Sequence, residues 1–374
     1  MVAWWRSQPS PSRCWWRLSQ RATLVNVKLK WVKDRNLDSV VAREKRLRPT
    51  HHLIEEISAR PSAAARTQDL STRLRVPIAT FVRRFPSLFS YTPSSDRIGL
   101  TDDASRLRRE ELGVVHETEA ADLVDRLRKL LMMTKDRRLP IHTIQQLRWD
   151  MGLPHDFHCT LVPRFPHFFR TFQPPDDERV WIELLHWDES LATSHLQEDS
   201  GGGGCLAFPV SFTRGFGLKR KCAAWLKEWQ TLPYTSPYED ASGLDPRTDV
   251  SEKRIVGVFH ELLHLTLAKK TERKNVSNMR KPLGLPYKFT KVFERHPGIF
   301  YLSQKLATQT VVLREAYNKR QLLTKHPLIG IRERYAAMIR DDMNEIEEEL
   351  EEEEDGSSCD TFFEYNNSDQ DQRI

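Results

Sequence analysis

The sequence repeats one six-residue phrase three times: Arg84-Phe85-Pro86-Ser87-Leu88-Phe89, Arg164-Phe165-Pro166-His167-Phe168-Phe169 and Arg295-His296-Pro297-Gly298-Ile299-Phe300. Each copy reads arginine, a ring side chain, proline, any residue, an apolar residue and phenylalanine. A second shared phrase ends in proline and precedes each copy: Leu74-Arg75-Val76-Pro77, Gly152-Leu153-Pro154 and Gly284-Leu285-Pro286. Three matched pairs of phrases in one order predict a tandem repeat rather than an enzyme built on one central site.

The pattern around these phrases predicts the secondary structure of one repeat. A leucine-rich helical stretch comes first, as in Leu123 to Met133 and Ile255 to Ala268. A short helix follows and leads into Leu-Pro, because proline is tolerated in the first turn of the next helix. That next helix ends at Arg-ring-Pro, since proline disfavours helical geometry in the residue before it. Ring and β-branched residues on both sides of a polar turn then indicate a β-hairpin.

Three helices followed by a hairpin are typical of a helix-turn-helix unit with a small β-wing. We therefore predict a mainly α fold with short β-hairpins (α+β), made of three tandem helix-turn-helix or winged-helix-like repeats at about residues 49–104, 120–191 and 251–317. The alternative is an all-α helical-repeat solenoid in which the extended segments are loops. In both folds the repeated rings and leucines form the core.

The two ends of the chain have opposite charge. Residues 1–33 contain seven basic and no acidic side chains, which is typical of an organelle transit peptide; the alternative is a basic arm that stays attached and contacts nucleic acid. Residues 341–374 hold fifteen acids and one base, which predicts a disordered acidic tail. Because the chain carries +6 in total and this tail carries −14, residues 1–340 carry +20, a charge that favours nucleic acid as a partner.

Two segments between the second and third repeats differ from the repeat pattern. Residues 197–204 are polar and then glycine only, so they predict a flexible linker. Residues 216–230 predict an amphipathic basic helix with Trp225 and Trp229 one turn apart on its buried face. Its basic residues include Lys219, Arg220 and Lys221.

Composition excludes several classes of protein. No apolar run approaches the length of a membrane span, so we expect a soluble protein without a membrane partner. The cysteine count is odd and no CxxC pair occurs, which argues against a disulfide framework or a zinc ribbon: Cys14, Cys159, Cys205, Cys222 and Cys359. We expect no cofactor, no metal and no small-molecule substrate.

His260-Glu261-Leu262-Leu263-His264 is a literal HExxH motif, which on a helix presents two imidazoles to Zn²⁺ and a glutamate as general base. A zinc-dependent hydrolase is therefore an alternative function. Its third ligand would have to be Glu272 or Glu294, both poorly placed along the chain. Aligning the repeats also puts Arg128 and Met132 at the positions of the two histidines, which indicates an ordinary repeat helix.

Several phrases in order resemble the plant organellar RNA-recognition (PORR) domain family: Val32 to Asp38, Leu139 to Phe169, His260 to Leu263, Gly284-Leu285-Pro286 and Arg295-His296-Pro297. The resemblance covers about residues 28–339. It implies a non-catalytic RNA-binding protein of mitochondria or chloroplasts, with residues 34–340 as the RNA-recognition domain. It also implies promotion of group II intron splicing, with intron-containing organellar RNA and further splicing factors as partners. We favour the mitochondrion over the chloroplast.

The RNA contacts are expected on the helix between Leu-Pro and Arg-ring-Pro, because in a helix-turn-helix this is the recognition helix. Its apolar positions face the core, which leaves basic positions free to meet phosphates. Together with the basic helix, these are the candidate RNA-binding residues: Arg83, Arg84, Arg164, Lys219, Arg220, Lys221, Lys288, Lys291 and Arg295. The three arginines that precede proline have an alternative role, which is to bond the free carbonyls at a helix end. An organellar DNA-binding protein remains a further alternative function.

Overall fold

The computed structural model describes residues 29–60, 62, 64–74, 78–200 and 206–356, with only the backbone described at 73–74 and 348–356. Their contacts divide the chain into two compact units, one of residues up to 55 and 106–333, the other of residues 56–105 and 334 onward. The first copy of the repeated phrase lies in the second of these units. The other two copies lie together in the first.

The fold is mixed α and β, with helices outnumbering small antiparallel sheets. The described helices are α1 Arg35–Ala42, α2 Glu44–Ser58, α3 Thr67–Leu74, α4 Ile78–Arg83, α5 Asp102–Gly113, α6 Ala120–Met132, α7 Ile141–Met151, α8 Phe157–Thr160, α9 His195–Asp199, α10 Arg220–Gln230, α11 Asp249–Leu265, α12 Arg273–Asn278, α13 Lys291–Arg295 and α14 Pro327–Gly356. The strands are β1 Ala64–Arg66, β2 Phe89–Thr92, β3 Arg97–Leu100, β4 Arg138–Pro140, β5 Phe169–Phe172, β6 Trp181–Leu184, β7 Lys270–Glu272, β8 Phe300–Ser303, β9 Thr310–Leu313, β10 Tyr317–Asn318 and β11 Gln321–Leu322.

Each copy of the phrase leads into a β-hairpin, as predicted. The hairpins are β2–β3, β5–β6 and β8–β9, and in each one the second strand also pairs with a short earlier strand. The three sheets therefore have the same order, β1-β3-β2, β4-β6-β5 and β7-β9-β8. The early strands were not predicted, since three residues that pair only with a strand far along the chain leave no local pattern.

The Arg-ring-Pro phrase has the same local geometry in all three copies. The backbone at Phe165 (φ −126°, ψ 58°) and at His296 (φ −118°, ψ 56°) has left the helical region, as the following proline requires. The carbonyl of the ring residue then accepts two backbone N–H groups, at 3.0–3.2 Å: Phe85 from Leu88 and Phe89, Phe165 from Phe168 and Phe169, and His296 from Ile299 and Phe300. This turn ends the helix and starts the hairpin.

The Gly-Leu-Pro phrase changes the chain direction in both copies that the structure describes: Gly152 caps helix α7, whereas Gly284 ends the turn that follows helix α12. Gly152 (φ 79°) and Gly284 (φ 63°) adopt the left-handed conformation that glycine reaches at least cost. The next residue, Leu153 or Leu285, donates its N–H to the carbonyl of residue 148 or 280 at 2.9 Å and buries its side chain. Proline then begins the next helical segment. Residues 75–77 of the first copy lie outside the described residues.

The rings between the two phrases face the core. Phe85, Phe157, Leu161, Phe289 and Phe293 are at most 3% exposed, whereas Phe81 is half-buried with its ring edge-on to Phe85. Burying a side chain of this size contributes about 1.5–3 kcal/mol. The inward side of these residues is as predicted, but in the third copy Phe289 lies in a turn and helix α13 begins only at Lys291.

The second and third copies pack against each other through equivalent helices, α6 on α11 and α7 on α12. The N–H of Leu267 donates to the carbonyl of Asp150 at 2.7 Å, and the Asp150 carboxylate accepts the hydroxyl of Thr271 at 2.6 Å. Arg48 pairs with the same carboxylate at 2.6 Å. These bonds hold the two copies in one register.

The phrase Val32 to Asp38 attaches helix α1 to the third sheet. Asp34 accepts the N–H groups of Asn36 and Leu37 at the helix start and pairs with Arg314 at 3.1 Å. Asp38 is buried and accepts hydroxyl hydrogens from Tyr301 at 2.9 Å and Ser303 at 2.6 Å. Because buried carboxylates need such partners, the two acids of this phrase are structural.

The segments outside the repeats differ in part from expectation. Gln197 to Asp199, expected in the linker, lie in helix α9, where Ser194 and Gln197 form a capping box; residues 201–204 lie outside the described residues. Helix α14 continues to Gly356, so residues 341–356 of the expected disordered tail are helical. Residues 357–374 and residues 1–28 of the expected transit peptide also lie outside the described residues. Among the helices that the structure describes, none has the length and apolarity needed to cross a bilayer.

Candidate nucleic-acid interface

The third copy presents an exposed basic surface at its Leu-Pro turn and the helix that follows. Lys281, Lys288 and Lys291 are exposed, and none of them forms an ion pair with another described residue. Their backbone is fixed, because Leu285 and Phe289 on either side of the turn are buried. Such a cluster attracts phosphate groups without competing internal partners. We call these three side chains the lysine cluster.

Tyr287 stands beside this cluster and is 83% exposed, the largest value among the exposed large apolar side chains of the described chain. The guanidinium of Arg280 lies 5.7 Å from the centre of its ring, within the range of a cation–π contact. Tyr287 is not among the contact residues predicted from the sequence. The available signal was a ring between the buried positions Leu285 and Phe289 of a turn whose exposed neighbours are basic.

Arg295, at the end of helix α13, is placed differently from the neighbouring lysines. Its side chain is 19% exposed, pairs with Glu252 at 3.2 Å and lies 5.5 Å from the ring centre of Trp225. His296 Nε2 donates to the same Glu252 carboxylate at 2.7 Å. The Arg295 guanidinium is therefore engaged inside the protein with a carboxylate and a ring, rather than with the helix-end carbonyls of the structural alternative.

The other two arginines of the phrase are exposed. Arg164 donates to the carbonyl of His116 at 2.9 Å, a carbonyl at the end of a neighbouring helical segment. Arg84 has no described side-chain partner, and the adjacent Arg83 lies 5.6 Å from the ring centre of Tyr91. Arg83 and Arg84 belong to the compact unit of the first copy, whereas Arg164 belongs to that of the second and third copies.

Helix α10 is amphipathic, as predicted. Trp225 and Trp229 are buried, and their rings lie 5.5 Å and 4.2 Å from the imidazole of His296. Lys219, Arg220 and Lys221 are exposed at the opposite side of the helix start. Through Trp225, this helix contacts the end of α13, so the structure brings the predicted basic helix and the third copy together.

The HExxH histidines converge on a glutamate that sequence analysis missed. Glu315 Oε1 lies 2.6 Å from His260 Nε2 and 2.9 Å from His264 Nε2. Burial lowers the pKa of His264 to about 3, so this imidazole is neutral at physiological pH. Burial alone raises the pKa of Glu315, but the bonds from the two histidines outweigh it and lower that pKa to about 2. Glu315 follows His264 by 51 residues, so no local spacing marks it.

Glu261 is not placed as the general base of a hydrolase. Its carboxylate is 1% exposed and accepts the hydroxyl of Tyr238 at 2.6 Å and the N–H of His195 at 2.7 Å. Lys129 lies 3.7 Å away. A general base needs a free oxygen within reach of the water it activates, and these bonds use both oxygens for packing between segments.

Two groups of described side chains have the atoms to hold a metal ion. One is His260, His264 and Glu315; the other is Glu119, Asp122 and His326, each with ligand atoms within 4.8 Å of one another. In the second group Asp122 also bonds Arg126 at 2.5 Å, and His326 accepts the N–H of Leu328 at 3.1 Å. The side chains of both groups therefore bond to partners within the protein, and the fold explains why they lie close together.

A cavity of about 560 Å³ lies between the second and third copies. Its lining carries both signs of charge: Lys135, Arg137 and Arg254 together with Glu239 and Asp240. Leu283 and Gly284, in the turn that leads to Tyr287, form part of its wall.

Comparison with known proteins identifies the family. The family model for the plant organelle RNA recognition domain matches residues 32–344. Protein WHAT'S THIS FACTOR 9, mitochondrial, of Arabidopsis thaliana is 35% identical over 86% of this chain and 88% of its own length. Protein WHAT'S THIS FACTOR 1 homolog, chloroplastic, of Oryza sativa subsp. japonica is 33% identical over 85% of this chain and 67% of its own length. Protein ROOT PRIMORDIUM DEFECTIVE 1 of Arabidopsis thaliana is 30% identical over 85% of each of the two chains. No solved structure matches. The chain belongs to the plant organelle RNA recognition domain family.

Proposed function

We propose that this protein is a non-catalytic RNA-binding protein of a plant organelle that promotes the splicing of group II introns. The observation that carries the proposal is the family match over residues 32–344. The surface chemistry agrees with it, since the lysine cluster faces solvent without an acidic partner among the described residues. Lysines of this kind neutralise phosphates, and exposed rings stack on unpaired bases.

We further propose that each repeat is a winged-helix-like module, the three together forming an RNA-recognition domain of about residues 34–340. Support comes from the order of elements in each copy, which is helix, strand, two helices and a hairpin. In each copy the first strand pairs with the second strand of the hairpin. In such a module the helix after Leu-Pro is the recognition helix. The lysine cluster occupies that helix and its preceding turn in the third copy.

The proposed location is the mitochondrion, with the chloroplast as the alternative. Protein WHAT'S THIS FACTOR 9 has the word mitochondrial in its name and aligns with 86% of this chain, whereas the WHAT'S THIS FACTOR 1 proteins have the word chloroplastic in their names. The acid-free residues 1–33 supply the composition of a transit peptide.

The experiment is filter binding of the purified full-length chain to RNA and DNA of one sequence, each single-stranded and duplex, at fixed salt. We expect single-stranded RNA to bind most tightly, because its bases are open to stacking and its 2′-hydroxyls distinguish it from DNA. Equal or tighter binding to duplex DNA would favour the DNA-binding alternative. Absence of binding to any nucleic acid would refute the proposal.

A further inference from the structure

We propose that Tyr287 is a stacking platform for one unpaired RNA base, with the lysine cluster holding the phosphates on either side. This inference rests on the proposed RNA-binding function and goes beyond it, because it assigns a base-binding site to one side chain. Proteins that bind single-stranded nucleic acid combine cations along the backbone path with exposed rings on which bases stack.

The ring of Tyr287 is unusually exposed. Tyrosine usually buries most of its ring in a folded protein, and a lone exposed ring on a surface needs no explanation. Tyr287 differs because it is 83% exposed and has four cations in the surrounding turn and helix: Arg280, Lys281, Lys288 and Lys291. With Arg280 near the ring at 5.7 Å, most of the ring surface remains open to a planar partner.

The backbone that carries the ring is held in place. Leu285 donates its N–H to the carbonyl of Arg280 at 2.9 Å, and Phe289 donates to the carbonyl of Pro286 at 3.3 Å. Leu285 is 5% and Phe289 3% exposed, so both residues anchor the turn in the core. A ring on a fixed backbone loses little conformational freedom when a base stacks on it, and such pre-organisation strengthens binding.

The equivalent turn of the second copy has a different composition. Counting from the shared proline, the second copy has His155, Asp156 and Cys159 where the third has Tyr287, Lys288 and Lys291. The second copy thus presents an exposed ring beside an acid, and its His155 ring already lies 6.1 Å from that of His52. The third copy alone joins an open ring to cations at these positions, so the two copies form a matched pair for experiment.

The test uses the full-length chain and a single-stranded RNA of twelve nucleotides with 2-aminopurine at one position, scanned along the strand. Stacking on an aromatic ring quenches the fluorescence of this base. We expect quenching at one or a few positions, and we expect Tyr287→Ala to abolish it and to weaken binding about ten-fold. Tyr287→Phe keeps the ring and retains both properties, whereas Tyr287→Leu keeps an apolar side chain and loses both.

His155→Ala is the matched control and leaves quenching and affinity unchanged. Circular dichroism confirms that each variant is folded, which the exposure of Tyr287 leads us to expect. Unchanged quenching and affinity in Tyr287→Ala would overturn the stacking proposal while leaving the RNA-binding proposal intact. Failure of the unsubstituted protein to bind any of the RNAs would overturn both.

Discussion

Arg164 and Arg295 occupy the same place in two copies of one phrase, yet their guanidinium groups have different partners. Arg164 reaches the carbonyl of His116 from an exposed position, whereas Arg295 is held by Glu252 and Trp225. The phrase itself requires only the turn that its proline and ring residue form. The phrase therefore does not by itself make its arginine an RNA ligand, and we expect the exposed lysines to make more of the phosphate contacts.

The lysine cluster makes a quantitative prediction about salt. Each phosphate contact on a single strand contributes about 0.7 to the slope of log affinity against log salt concentration, because binding releases condensed counterions. We predict that Lys288→Ala combined with Lys291→Ala lowers the magnitude of this slope by about 1.4. The measurement is an RNA titration at four or more salt concentrations.

Lys325→Ala is the control for that titration, because Lys325 is exposed but pairs with Glu333 at 2.8 Å. Its slope should equal that of the unsubstituted protein. If the double variant kept the full slope while folded, helix α13 would be removed from the RNA surface. Lys219, Arg220 and Lys221 would then become the leading positions.

His264 makes a prediction about pH. Its pKa is lowered by burial from 6.5 to about 3, so below pH 6.5 the unfolded chain takes up a proton that the folded protein does not. We predict that, as the pH falls from 6 to 4, this group lowers the free energy of unfolding by up to about 1.4 kcal/mol for each pH unit. In His264→Ser that contribution is absent, and the stability profile is flatter over the same range.

The measurement is thermal or urea unfolding across that pH range, with the exposed His142→Ser as the matched control. RNA affinity at neutral pH should be unchanged in His264→Ser, because Glu315 keeps its bond to His260 at 2.6 Å. Loss of RNA binding together with loss of a stoichiometric zinc ion would instead favour the hydrolase alternative.

At the scale of elements, the two glycines of the Gly-Leu-Pro phrase form a natural comparison. Both Gly152 and Gly284 have positive φ, which costs a residue with a side chain about 1–2 kcal/mol. A Cβ at Gly152 would also lie 2.6 Å from the Leu267 side chain, whereas a Cβ at Gly284 meets nothing within 4 Å. We predict that Gly284→Ala lowers the free energy of unfolding by about 1 kcal/mol and Gly152→Ala by about 2–4 kcal/mol.

Chemical denaturation of the two variants measures this difference directly. Since both substitutions share the backbone strain, the excess in Gly152→Ala reports the contact between the second and third copies. Equal destabilisation would show that Leu267 moves aside and that the packing of the copies is adaptable at this point.

The sequence predicted the elements that local rules control and missed those that depend on distant pairing. The hairpin after Pro166 follows from proline and ring residues nearby, and Phe289 and Phe293 follow from helical spacing. Strand β4 was missed because its pairing partner, β6, is separated from it by two helices and a strand. The same reason hides Glu315, which meets His260 only in the fold.

The candidate site shows the same division between local and distant causes. Exposure of Lys288 and Lys291 was predictable, because the buried rings at 289 and 293 leave those positions outside. The internal position of Arg295 was not predictable, since its partners Glu252 and Trp225 belong to other helices. Tyr287 was overlooked because a ring in an apolar pattern is usually assigned to the core.

At the scale of the whole molecule, the charge distribution predicts import into an organelle. A fluorescent fusion of residues 1–60 should accumulate in mitochondria, because its first 33 residues carry seven bases and no acid. Changing Arg6, Arg13, Arg17 and Arg21 to Glu in the same fusion should leave it in the cytosol. Microscopy of both fusions is the measurement, and cytosolic fluorescence of the unsubstituted fusion would contradict the prediction.

Binding of intron-containing organellar RNA is tested most directly by ultraviolet crosslinking of the tagged full-length protein in isolated mitochondria, followed by sequencing of the RNA that copurifies. We predict that the reads concentrate within group II introns. They should fall when Tyr287, Lys288 and Lys291 are changed together to Ala, and should not change in Lys325→Ala. Reads at the level of an untagged control, or spread evenly over all transcripts, would contradict this function.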